Sequence, residues 1–365
     1  MRVVDMHCDT VSRLFDLAEN GKQESLRENT GHLDLLRMRQ GGYLLQNFAL
    51  FVELEQCGDP WEAVCKLYER YRAELEKNSD LIGPVLRFED IAANETAGKL
   101  SAMLTVEEGA VCKGELDKLR KLYDMGVRML TLTWNFPNEL GHPNHDRALG
   151  AKAREFRKKL RECKQEYSRE SAEYQSLQAQ AAPVVEAFLH TPNVTEGLTE
   201  RGREFVAEME SLGMIPDVSH LSDAGFYDVL EVTKKPFVAS HSNARAVCPN
   251  VRNMTDDMIR KLAERGGVMG LNYCADFLEE RPVGERNPGT IGAIVRQAKH
   301  ITDVGGIRVL GLGSDFDGID THEELPGAES MGKLWEAMKA AGFTESQLDL
   351  IFSGNVLRVY GDTLK

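Results

Sequence analysis

Eight short apolar runs punctuate this chain, near residues 2–7, 44–51, 101–106, 127–133, 214–219, 236–240, 267–273 and 308–314. They are rich in Val, Leu, Met and Ile, as expected of strands buried on both faces. Helix-like segments separate them. Asp117 to Tyr123 places Leu119, Leu122 and Tyr123 at helical spacing, and Gly126 follows as a stop. Glu200 to Leu212 carries Phe205, Val206, Met209 and Leu212, with Gly213 behind it. Asp223 to Val232 and Thr255 to Leu262 read the same way, with Thr255 as an N-cap. This alternation predicts an α/β fold, a parallel (β/α)8 TIM barrel spanning residues 1–365 as one domain. An open doubly wound sheet is the competing architecture. No GxGxxG or GxxxxGK[ST] loop follows any run, so nucleotide binding loses its main support.

The ends of these runs carry the chemistry. His7 and Asp9 close the first, Glu107 the third, His220 the fifth, His241 the sixth and Asp315 the eighth. In a parallel barrel the C-terminal strand ends meet at one mouth, where catalytic groups sit. Six such groups suffice to hold two divalent metals. His7 and Asp9 are two apart, so strand alternation puts them on one face and Cys8 on the other. A carboxylate such as Glu107 can bridge two metals ~3.5–4 Å apart. Glu108 competes for that role, and strand phase alone leaves the choice open. Neutral imidazoles at His220 and His241 are good zinc ligands, with Asp217 placed to orient His220. Asp315 suits proton transfer, whereas Asp317, before Gly318, suits a turn. Arg252 is either a fork for a substrate carboxylate or an ordinary surface ion-pair residue.

A net charge of −14 disfavours nucleic acid and anionic membrane as partners. Seven scattered cysteines without a CxxC pair suit a reducing compartment. The first run begins at Arg2, which leaves no room for a signal peptide, and no apolar run approaches the ~20 residues of a membrane span. A cytoplasmic protein is the expectation. Between the fourth and fifth runs the chain is strongly charged and helix-prone. Residues 145–190 read as a solvated helical insertion, with a lid or a homodimer contact as sharper alternatives.

Together these motifs resemble the renal (membrane) dipeptidase family of zinc peptidases. The matching segments are Asp5-Met6-His7-Cys8-Asp9, Val106-Glu107-Glu108-Gly109, Gly126 to Thr133, Asp217-Val218-Ser219-His220, Ser240-His241-Ser242, Gly313 to Gly318 and Gly354 to Val359. Apart from the insertion, they extend over nearly the whole chain. The resemblance implies an amidohydrolase-like barrel with two zinc ions that cleaves dipeptides bearing a free C-terminal carboxylate. It implies that His7 and Asp9 hold one ion, that His220 and His241 hold the other, and that Glu107 bridges them. Glu107 is preferred over Glu108 because it keeps the family's spacing to Leu119-Arg120. Arg252, eleven residues after His241, falls on the family's carboxylate-binding arginine, and Asp315 on its catalytic aspartate. One departure stands out. Trp134 replaces a histidine that contacts the substrate carbonyl in many relatives. Asn135 is taken as the substrate-binding residue in its place, with His142 and His145 as alternatives. The rival functions are another metal-dependent hydrolase (amidase, lactonase or deaminase) and an inactive barrel acting as a binding module.

Overall fold

A computed structural model describes residues 1–281 and 289–365. Its strands are β1 (Val3–Asp5), β2 (Tyr43–Phe51), β3 (Ile82–Pro84), β4 (Leu100–Glu107), β5 (Val127–Thr131), β6 (Ile215–Asp217), β7 (Val238–Ala239), β8 (Val268–Leu271) and β9 (Leu310–Leu312). Every pairing between them is parallel. β2 pairs with β4 from Leu45 opposite Ser101 to Phe51 opposite Glu107. That pairing closes an eight-membered ring, β1-β2-β4-β5-β6-β7-β8-β9. The ring is the expected (β/α)8 barrel.

Sequence reading missed β3. Ile82-Gly83-Pro84 is short and contains two poor strand formers. It pairs with residues 100–102 of β4, whereas β5 pairs with residues 104–107, so it adds a strand without entering the ring.

Inward side chains fill the lumen. Val4, Met103, Met129, Ile215, Val238 and Val268 form a buried cluster with Val356, Val359 and Tyr360 of the C-terminal helix Asn355–Thr363. That helix plugs one end of the barrel, and the Tyr360 hydroxyl donates to Asn47 Oδ1 at 2.9 Å. Burying each large apolar side chain contributes about 1.5–3 kcal/mol. Two close backbone approaches require glycine. A Cβ on Gly270 would lie 2.0 Å from the Ser240 carbonyl oxygen, and one on Gly313 would lie 1.8 Å from it. These contacts press β8 and β9 against the turn that carries His241.

The helices at Glu200–Leu212 and Asp223–Val232 match their sequence signals. The helix expected from Thr255 runs Asp256–Glu264, and Thr255 caps it by accepting from Met258 N. The insertion forms two helices, Arg147–Glu166 and Ala172–His190, between β5 and β6. Leu160, Tyr174 and Ala181 make a small core between them.

Candidate active site

Each strand-end residue lies at one mouth of the barrel. Glu107 is the last residue of β4. The others sit just beyond their strands, because β1, β6, β7 and β9 stop two or three residues before His7, His220, His241 and Asp315. There the backbone turns sharply. His220 has φ of 68° and Asp315 has φ of 63°, left-handed values that non-glycine residues adopt at a cost and that cluster at functional sites. Cys8 turns away into the outer core while His7 and Asp9 stay together, with His7 Nε2 3.4 Å from Asp9 Oδ2.

Glu107 stands at the centre. Its Oε2 lies 3.3 Å from His7 Nε2. Its Oε1 lies 3.1 Å from His220 Nε2 and 3.4 Å from His241 Nε2. The two oxygens therefore face different histidines. Glu108 turns outward and accepts hydrogen bonds from Ala110 N and Trp134 N. Donor atoms of His7, Glu107 and His241 lie within 4.8 Å of one another, as do those of His7, Asp9 and Asp315. Among the described residues, buried His7 Nε2, Asp9 Oδ1 and Glu107 Oε1 find no hydrogen-bond partner. Orphaned polar atoms are costly in isolation, and a cation would satisfy all three.

Both outer histidines are held from behind. His220 Nδ1 lies 3.0 Å from Asn135 Oδ1, and His241 Nδ1 lies 2.7 Å from Ser240 Oγ. Ser240 in turn donates to Asp217 Oδ2 at 2.6 Å, as does the Thr131 hydroxyl. Asp217 thus acts on His241 through Ser240 and leaves His220 to Asn135, contrary to the sequence expectation. Burial, then the Arg252 charge, press His220 down to about 4. Burial and His7 press His241 well below the ordinary histidine range. Both are neutral at pH 7. Assigning their protons to Nδ1 leaves Nε2 lone pairs facing the centre. Burial opposes charge on His7, but Glu107 and Asp9 outweigh it and raise its pKa well above the usual value. Burial raises Asp9 to about 7.

The chain that carries these donors matches a known family. The model of the membrane dipeptidase family, peptidase family M19, fits residues 1–155 and 171–365. The chain belongs to that family. The break in the match falls within the inserted hairpin. Membership makes the protein a metal-dependent dipeptidase. An uncharacterized dipeptidase of Schizosaccharomyces pombe is 30% identical over 99% of this chain and 80% of its own length. The solved dipeptidase AC, an M19 metallopeptidase, superposes with a TM-score of 0.81 at 25% identity, covering 100% of this chain and 99% of its own. A Rhodobacter sphaeroides metallopeptidase, solved with a phosphinate mimic of L-Ala-D-Ala, shares the fold at a TM-score of 0.79 and 24% identity, over 100% of this chain and 99% of its own.

In this M19 dipeptidase Asp9, Glu107, His220 and His241 open onto a cavity of about 1190 Å³. Trp134, Asn135, Arg252, Phe277 and Asp315 also line it. Arg252 is only 4% exposed, which excludes the surface ion-pair reading. Its Nη2 donates to the His241 carbonyl at 3.2 Å, and its Nε has no partner among the described residues. Asp315 Oδ2 accepts from Asn272 Nδ2 at 2.9 Å. Burial raises its pKa above the usual carboxylate value. Asp317 is a structural tie, accepting from Thr10 Oγ1 at 2.6 Å and from His32 N at 2.7 Å. Trp134 packs against Phe51, with ring centroids 4.9 Å apart. Asn135 Oδ1 also meets His145 Nδ1 at 3.2 Å, a pairing that sequence motifs gave no means of finding. Among the described residues no helix is long and apolar enough to cross a membrane.

Proposed function

We propose that this M19 enzyme is a binuclear zinc dipeptidase that reads the free C-terminal carboxylate of its substrate. The observation that carries the reading is Glu107, whose two carboxylate oxygens face different histidine groups across 3.1–3.4 Å. That is the disposition of a bridging ligand. His7 and Asp9 would hold one ion, and His220 and His241 the other. Two ions bound there would acidify a water molecule and polarise the scissile carbonyl.

The chain's own groups supply the rest. Asp315 is buried beside the histidines and held by Asn272, so its free oxygen can accept a proton and later return one to the leaving amine. Burial raises its pKa above the usual carboxylate value, which favours holding a proton. Arg252 presents a buried guanidinium to the same cavity. A substrate carboxylate would satisfy its open donors through a charge-assisted contact. Holding the carboxylate there fixes the distance from chain end to scissile bond and so limits substrate length. Trp134 offers an apolar wall where many relatives have a polar one.

The test is a panel of dipeptides, including L-D pairs, with matching tripeptides and C-terminal amides. Each is assayed after chelation and again after zinc is restored. Zinc-dependent cleavage confined to free dipeptides is the expected result. Equal cleavage of the amides would instead point to a general amidase.

A further inference from the structure

We propose that His145 is a positioning residue for His220, and that the inserted hairpin keeps it in that role through Phe188. The inference rests on reading His220 as a metal ligand.

Asn135 Oδ1 lies 3.0 Å from His220 Nδ1 and 3.2 Å from His145 Nδ1. One amide group therefore faces two imidazoles, and it couples their tautomers. If the amide oxygen faces them, both rings carry Nδ1–H, and the oxygen's two lone pairs accept both. If the NH2 faces them, both rings carry the proton on Nε2. Only the first arrangement leaves His220 Nε2 free to bind an ion. At His220 itself an Nε2–H could donate to Glu107 Oε1 at 3.1 Å, and His145 weighs against that form. The Nε2 of His145 is buried with no partner among the described residues, so a proton there would be an orphaned donor. A lone pair at that position is the cheaper choice. The surroundings of His145 thus select Nδ1–H, and Asn135 passes the choice to His220.

The insertion holds this arrangement. Phe188, on its second helix, stacks on His145 with ring centroids 4.5 Å apart and planes 20° from parallel. The backbone carrying His145 is tied to the site as well. Asn144 N donates to the His220 carbonyl at 2.9 Å. Asn144 Nδ2 donates to Asp223 Oδ1 and to the Val251 carbonyl, both at 2.7 Å. The Leu189 carbonyl accepts from Val251 N at 2.7 Å, beside Arg252. The hairpin is therefore fastened to both the His220 loop and the Arg252 turn.

Histidine-selective ¹⁵N labelling of the full-length, metal-free protein reads the tautomers directly. His145 and His220 should both carry Nδ1–H. His145→Phe keeps a ring over Phe188 but removes the donor. It should shift part of His220 to the Nε2–H form and weaken zinc binding roughly 10–100-fold, the usual effect of losing a partner behind a metal ligand. Competition with a chromophoric chelator measures that loss. Phe188→Ala should act in the same direction by less, and His145→Asn, whose amide can donate from the Nδ1 position, should recover most of the affinity. Wild-type protein with Nε2–H at either histidine overturns the proposal, even if His145→Phe does not fold. Unchanged zinc affinity in a folded His145→Phe overturns it too. His220→Ala separates the two readings. If that variant keeps full zinc affinity, the ligand assignment has failed. If it loses zinc while His145→Phe does not, only the positioning role has failed.

Discussion

The Nε2 atoms of His220 and His241 face each other at 3.0 Å, while Asn135 and Ser240 occupy the Nδ1 atoms behind them. Two neutral imidazoles arranged this way oppose their lone pairs, an unfavourable contact that a cation between them reverses. We expect about two zinc ions per chain, the count of a two-metal hydrolytic site. Glu107→Gln and His220→Ala should each lose metal and nearly all activity. Elemental analysis of protein purified without chelator checks this, and absence of stoichiometric metal contradicts it.

Metal affinity should rise with pH near neutrality. In the metal-free site His7 is raised by Glu107 and Asp9 against the effect of burial, and burial raises Asp9 to about 7. Both hold protons that must leave when a cation binds. His220, already neutral down to about 4, releases none. Binding should therefore liberate about one to two protons per chain near pH 7. Because the free site binds more protons than the loaded one, acid weakens binding and base strengthens it. Calorimetry in buffers of different ionisation enthalpy counts the protons. A count of zero would show that His7 and Asp9 are not displaced by metal.

Asp315→Asn should keep both metals, since it leaves His7, Asp9, Glu107, His220 and His241 in place. Turnover should fall by ~10²–10⁴-fold, the range for losing a general acid/base. Metal content and kcat measured on the same preparation decide the point. Near wild-type kcat would remove Asp315 from the mechanism.

Gly313→Ala should destabilise the fold and disturb His241. Its Cβ would meet the Ser240 carbonyl at 1.8 Å, a backbone atom that cannot swing aside. Overpacking of this kind costs typically ~1–3 kcal/mol. Gly332→Ala is the control, because no atom of the other described residues lies within 4 Å of its Cβ on the helix Met331–Ala340. There the higher helix propensity of alanine should stabilise by up to about 1 kcal/mol. Denaturation midpoints of the two variants should move in opposite directions.

The barrel was legible because its strands are apolar runs with reactive residues at their ends, and the period of alternation is long enough to survive single-sequence noise. β3 was not, since Gly83 and Pro84 hide a strand that pairs along only three residues. His7 and Asp9 were readable from strand alternation, whereas strand phase left Glu107 and Glu108 open and only the spacing to Leu119-Arg120 in the resembled family favoured Glu107. The kink at Glu108, with φ of 103°, sends its carboxylate outward, and strand phase carries no trace of that turn. Arg252 illustrates the same limit. Its burial depends on a turn brought against the His241 carbonyl by tertiary packing. The Asn135–His145 contact joins a loop to the entrance of the insertion, and no local pattern encodes it.

Arg252 makes the sharpest claim about substrate. A buried guanidinium that lines the cavity, with an Nε that has no partner among the described residues, suits a charged partner, and a dipeptide carboxylate is the right size and charge. Hydrogen bonds to charged groups contribute roughly 1.5–3 kcal/mol. Arg252→Ala should therefore lower kcat/KM for free dipeptides by about ten- to more than a hundredfold. C-terminal amides, which offer no carboxylate, should lose much less. Arg252→Lys should restore only part of the difference, because an ammonium lacks the planar fork. The wild type should prefer dipeptides to tripeptides, whose carboxylate lies one residue beyond the clamp. Steady-state kinetics on matched acids and amides give the answer. If Arg252→Ala slows both equally, Arg252 is not reading a carboxylate, and the case for strict dipeptide specificity loses its mechanistic basis.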